Sequence, residues 1–194
     1  PMSSGLIGYL SYETIELYEK IPDRKKSDLN LPDGFFIRPK IMVIFDNIKN
    51  ELTVATPIWF DKNESFDFLY SKNQKLIKNL VTRLKYSVPI KKNKIKINFK
   101  KPQSNMKKEQ FLKMVNKAKK YIYSGDIFQV VLSQKFRSSF KLPAFELYRA
   151  LRNLNPSPFL FFLNFDDVDI GNFSLIGSSP EILVKLENKK VTIR

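Results

Sequence analysis

Two counts decide which side chains can do chemistry: the chain has no His and no Cys. Serine triads with a histidine base, thiolate or imidazole zinc sites, iron-sulfur clusters, disulfides and cysteine nucleophiles are therefore excluded. Acid-base or metal work must fall to Asp, Glu, Lys, Tyr or the backbone. Among the carboxylates is Glu181, which closes the run Ser178-Ser179-Pro180-Glu181. By residue type alone it is a glutamate opening an exposed strand after a proline turn. It can keep a proton near neutral pH only if burial raises its pKa. Gln129, inside the run Gly125 to Gln134, offers an amide that donates and accepts hydrogen bonds but takes no proton. On its own it reads equally well as a polar residue on the outer face of a strand.

The elements around these residues follow from periodicity and punctuation. Gly5 to Tyr12 reads as a strand with glycines where backbones approach closely, followed by a short helix over Glu13 to Glu19. A polar loop, Asp23 to Gly34, precedes two β-rich runs, Lys40 to Asp46 and Glu51 to Thr56, joined by Asn47 to Asn50 as a hairpin. Leu69, Leu76, Leu80 and Leu84 recur at helical spacing between Glu64 and Tyr86, and Phe111, Leu112, Val115, Ala118 and Ile122 do so before Gly125. Ile127 to Phe136 reads as a strand. A third helix opens at Pro143 and ends at Asn155-Pro156-Ser157-Pro158. Strands follow at Phe159 to Phe165, Asn172 to Ile176, Glu181 to Glu187 and Val191 to Arg194. Short connections between strands favour an α+β fold of mostly antiparallel sheets, two-layer and sandwich-like with helices packed outside, over a doubly wound parallel sheet. The first strand begins almost at Pro1 and the last still runs at Arg194, so an incomplete fragment of a larger fold is expected.

Composition bounds the remaining classes. With 194 residues, 43% hydrophobic content, 17 Phe and 8 Tyr, the chain is globular in character and not disordered. The net charge of +15 would suggest a polyanionic partner, but Lys85 to Lys120 holds thirteen Lys, no Arg and one acid, Glu109, and so carries +12 of it. That window, with Ile90 to Lys101 at its centre, reads as a solvated connector bearing at most a short edge strand guarded by lysines. A basic RNA-binding or structural module is the competing reading. The lack of Arg, the better residue for bidentate phosphate and base contacts, weakens it, and no nucleic-acid partner is expected. The longest apolar runs, Ile41 to Phe45 and Pro158 to Leu163, fall far short of the roughly 20 residues that span a bilayer. With no secretory leader pattern at the start, a cytoplasmic protein without a membrane partner is the expectation.

Four stretches together resemble one family. They are Gly8-Tyr9-Leu10-Ser11-Tyr12, Gly125 to Gln134 (Gly-Asp-Ile-Phe-Gln-Val-Val-Leu-Ser-Gln), Asn155 to Leu163 (Asn-Pro-Ser-Pro-Phe-Leu-Phe-Phe-Leu) and Gly177 to Val184 (Gly-Ser-Ser-Pro-Glu-Ile-Leu-Val). In this order and spacing the chain resembles the large subunit of anthranilate synthase, a chorismate-utilising family. The resemblance covers the whole chain. It implies that residues 1–101 are the later part of the family's N-terminal region plus the basic connector, and residues 102–194 the first portion of its chorismate-binding domain. It further implies conversion of chorismate and ammonia to anthranilate and pyruvate, with Mg2+, and with ammonia delivered from glutamine by a glutamine amidotransferase subunit.

By the same resemblance, Glu181 matches the proposed general acid that protonates the departing C4 hydroxyl, since hydroxide itself leaves poorly. Gln129 matches a position that is Lys in water-using relatives such as isochorismate and salicylate synthases. A neutral amide there suits ammonia, which needs no activation. The large subunit of aminodeoxychorismate synthase also uses ammonia, but commonly has Gln-Val-Asn-Leu where this chain has Gln129-Val130-Val131-Leu132, so Val131 favours anthranilate synthase. A sharper discriminator, Pro-Ile-Ala-Gly-Thr against Pro-Ile-Lys-Gly-Thr, is expected just after Arg194. Pro158, Phe159 and Leu160 match the segment that closes over tryptophan in feedback-regulated members, where Pro, Tyr and Met are usual. Phe for Tyr loses a hydroxyl, and Leu for Met loses thioether flexibility. The Mg2+-ligating glutamates, the active-site histidine and the carboxylate-holding Gly-Thr and Arg-Gly segments are all expected beyond Arg194, so the 194-residue chain alone is expected to be inactive.

Overall fold

The computed structural model describes residues 4–21, 29–88 and 100–193. The expected edge strand at the centre of the lysine window and the first half of the expected loop Asp23 to Gly34 fall outside these residues. Ten strands, three α-helices and one 3-10 helix make a mixed α+β chain among the described residues, as expected. The strands pair two by two: β1 (Ile7–Leu10) with β2 (Gly34–Ile37), β3 (Met42–Asp46) with β4 (Glu51–Ala55), β5 (Gln103–Ser104) with β6 (Phe136–Arg137), β7 (Phe159–Asp167) with β8 (Gly171–Ser179), and β9 (Val184–Glu187) with β10 (Lys190–Ile193). The helices are α1 (Phe66–Leu84), α2 (Lys108–Tyr123) and α3 (Ala144–Leu154), and the 3-10 helix covers Tyr12–Leu17.

The chain divides into two compact units, one of residues 1–91 with 162–175, the other of residues 92–161 with 176–194. In the first, Gly8 lies opposite Phe36, so close that a Cβ there would collide with the Phe35 carbonyl oxygen and stand 2.7 Å from the Phe36 Cα. The Asn47–Asn50 turn is set by Asp46, whose Oδ1 accepts from the Ile48 and Lys49 amides at 3.0 Å, and by Asn50 at φ 55°. Ser65 caps α1 by accepting from the Phe68 amide at 3.3 Å, and Leu69 is buried on the inner face. The centre of this unit is aromatic: Phe165, 2% exposed, stacks at tilted angles with Phe35 (centroids 4.7 Å apart), Phe173 (5.1 Å) and Tyr9 (5.8 Å). Rings offset in this way bury large apolar area while matching positive edges to negative faces.

In the second unit, α2 ends in a Schellman arrangement. Gly125 adopts φ 80°, its amide donates to Ile122 and the Asp126 amide donates to Tyr121. Pro143 stands at the N-cap of α3, one residue outside the helix, and Asn155 closes it by donating to the Leu151 carbonyl at 2.8 Å. Asn188 and Lys189, both with positive φ, form the tight turn between β9 and β10. One expected strand is not a strand: of Ile127 to Phe136, only Phe136 enters a ladder, opposite Ser104. A strand is defined by its neighbour's hydrogen bonds, and no described segment lies beside Val130 and Val131 to supply them.

Candidate functional site

The second unit holds all five candidate residues, and hydrogen bonds join two of their segments. At Asn155-Pro156-Ser157-Pro158 and at Ser178-Ser179-Pro180-Glu181 the prolines remove three backbone N–H groups. The serine hydroxyls act as donors instead. Ser157 Oγ donates to the Ser179 carbonyl and accepts from the Phe159 amide at 3.4 Å. Ser178 Oγ donates to the Asn155 carbonyl at 2.8 Å. Ser179 Oγ donates to the Glu181 carbonyl at 3.1 Å, fixing the turn that presents this carboxylate. The two turns, more than twenty residues apart in sequence, thus hold each other in both directions.

Gly177 contributes the close approach beneath them, since a Cβ there would overlap the Phe161 ring. Pro158 and Phe159 are exposed and Leu160 is half-buried, the latter two opening β7. Glu181 is itself exposed, so the enclosure a general acid needs is not supplied by the described residues. Further along, Lys185 hydrogen-bonds Glu187 at 2.8 Å and its charge adds to the effect, holding that carboxyl below the usual range.

Gln129 is exposed on the extended segment after α2, and no hydrogen bond ties it to either turn. Its position follows from its neighbours: Ile127, Val130 and Leu132 line an apolar groove of about 210 Å³ with Met114, Ala118 and Tyr121 of α2. Among the described residues there is no grouping of three or more acidic side chains that could hold a metal ion. These residues therefore do not fit a Mg2+ site on their own. No helix among them is long and apolar enough to cross a membrane.

The serine hydroxyls of the two turns escaped the sequence reading. The available signal was the pairing of two proline-rich turns, each short of backbone donors and rich in serine.

With this arrangement in view, the class is settled: the chain belongs to the chorismate binding enzyme family, whose model matches residues 1–194. Among its relatives, anthranilate synthase component 1 of Cereibacter sphaeroides is 40% identical over 195 residues, covering 100% of this chain and 38% of that protein. The protein of the same name from Aquifex aeolicus is 38% identical, over 98% of this chain and 37% of that protein. The crystal structure of anthranilate synthase component I from Streptococcus pneumoniae TIGR4 matches with a TM-score of 0.78 and 29% identity, over 98% of this chain and 42% of that one. The chain spans less than half the length of each of these relatives.

Proposed function

We propose that this chain is part of an anthranilate synthase component 1, acting in tryptophan biosynthesis within a longer polypeptide. The observation that carries the reading is the family match over residues 1–194, joined to the names of the three relatives described above. Val131, together with those names, favours this enzyme over aminodeoxychorismate synthase.

In this reading ammonia attacks C2 of the chorismate ring, the C4 hydroxyl departs as water after taking a proton from Glu181, and pyruvate is then eliminated to leave anthranilate. Because Glu181 is exposed among the residues described, the dry surroundings that would keep it protonated come from the remainder of the polypeptide. Gln129 presents a neutral amide to the nucleophile and does not compete for its proton. The polypeptide beyond this chain also supplies the Mg2+ ligands. A glutamine amidotransferase subunit delivers ammonia. Pro158, Phe159 and Leu160 take part in holding tryptophan as a feedback inhibitor, and the protein works in the cytoplasm.

The test is Glu181→Gln in the full polypeptide, which preserves shape and hydrogen bonding but has no acidic proton. Turnover should fall by roughly 10²- to 10⁴-fold, the usual worth of a positioned acid, while chorismate affinity stays within a few-fold. A variant with undiminished turnover would remove Glu181 from the mechanism.

A further inference from the structure

We propose that Ser157 and Ser178 are positioning residues for Glu181, acting through the backbone of the turn that presents it. The inference rests on the reading of Glu181 as the general acid. Three features of the geometry carry it.

First, the bonds are reciprocal. Ser157, before β7, reaches the Ser179 carbonyl, and Ser178, at the end of β8, reaches the Asn155 carbonyl where α3 stops. A single bond would leave a hinge, whereas two bonds of opposite direction oppose both sliding and rotation.

Second, the acceptors are the carbonyls directly before prolines, Asn155 before Pro156 and Ser179 before Pro180. The residue before a proline is confined to extended conformations, and the proline's own φ is fixed near −65°. Anchoring the Ser179 carbonyl therefore determines the path of the next two residues, the second of which is Glu181. The Ser179 hydroxyl on the Glu181 carbonyl closes that path.

Third, the turns are short of backbone donors that could replace these hydroxyls, because Pro156, Pro158 and Pro180 have no N–H. Loss of the Ser157 hydroxyl leaves the carbonyl of half-buried Ser179 without this partner, and loss of the Ser178 hydroxyl releases the Asn155 carbonyl to solvent; either frees the turn. Substrate would still be held by its own contacts. What would be lost is the aim of the carboxyl at the leaving oxygen, and an error of about 1 Å in such placement costs on the order of 10²-fold in rate.

The experiment measures chorismate kinetics in the full polypeptide for Ser157→Ala, Ser178→Ala, the two combined, Ser157→Thr, Ser178→Thr and Glu181→Gln. Melting temperatures are recorded for each. Each alanine variant should lower kcat by roughly tenfold and the combined variant further, with KM for chorismate within about twofold, and the threonine variants, which keep the hydroxyl, should recover most of the rate. If Glu181→Gln is slow but the alanine variants retain kcat, or lose kcat with no recovery in the threonine variants, the positioning role is overturned while the acid assignment stands. If Glu181→Gln is fully active, the acid assignment is wrong and the positioning role falls with it.

Discussion

Residue types set limits here that placement then sharpened. The absence of His and Cys left carboxylates and phenols as the titrating groups of interest, and the phenol that the fold perturbs is Tyr9. Its hydroxyl donates to the Pro32 carbonyl at 2.9 Å, and its pKa lies above the usual 10.0 because burial, and then the Asp33 carboxylate, disfavours the phenolate. A raised folded value means that the native state holds this proton more tightly than the unfolded chain. Its contribution is complete below about pH 10 and disappears as pH rises through the folded pKa. In an alkaline titration by NMR, Tyr9 should ionise above the usual 10.0, and Tyr9→Phe should weaken the decline of stability above about pH 10. Ionisation of Tyr9 at or below 10.0 would contradict this.

Glu181 was legible only through the family resemblance of its Ser-Ser-Pro-Glu run, which by residue type alone read as the opening of an exposed strand. The serine clamp was not, since its partners lie 22 and 23 residues apart and no local pattern encodes a tertiary hydrogen bond.

Elements that draw their signal from their own residues were legible, and those that depend on a neighbour were not. Helices α1, α2 and α3 followed from apolar spacing, helped by Gly125 after α2 and Pro143 before α3. The turns at Asn50 and Asn188 followed from a residue that tolerates positive φ. By contrast β2 is only four residues long with no alternation, so the β-favouring Phe35, Phe36 and Ile37 were not read as a strand; its pairing with β1 and the Phe35 contact with Phe165 define it. The stretch after Gly125 erred the other way, with strong β-propensity and no partner beside it.

The β1–β2 pair gives a direct test. Gly8→Ala would place a methyl group against the Phe35 carbonyl, which as backbone cannot swing aside, so the pair must part. Phe165→Ala would empty the centre of the aromatic cluster and should cost roughly 3–5 kcal/mol. Both variants should lower the denaturant midpoint well below that of a surface control such as Lys72→Ala. Unchanged midpoints would mean that the cluster does not organise this unit.

For the molecule as a whole, exposed area is the informative quantity. The chain exposes 18095 Å². Two independent domains of half its mass would together expose only about 11,500 Å² by the usual scaling. Large apolar side chains are part of the exposed surface, among them Phe60, Phe128, Val131 and Leu183, each more than 80% exposed. Such surface fits a chain whose relatives are more than twice as long, and in the proposed reading the rest of the polypeptide covers it. The positive charge has a similarly local origin, lying mostly between Lys85 and Lys120.

The decisive measurement is product identification after incubating the full polypeptide with chorismate, an ammonium salt and Mg2+, followed by anthranilate fluorescence and mass spectrometry. Anthranilate and pyruvate should form in equal amounts, and the 194-residue chain alone should form neither. Aminodeoxychorismate or isochorismate as the product, or anthranilate made by the chain alone, would contradict the reading.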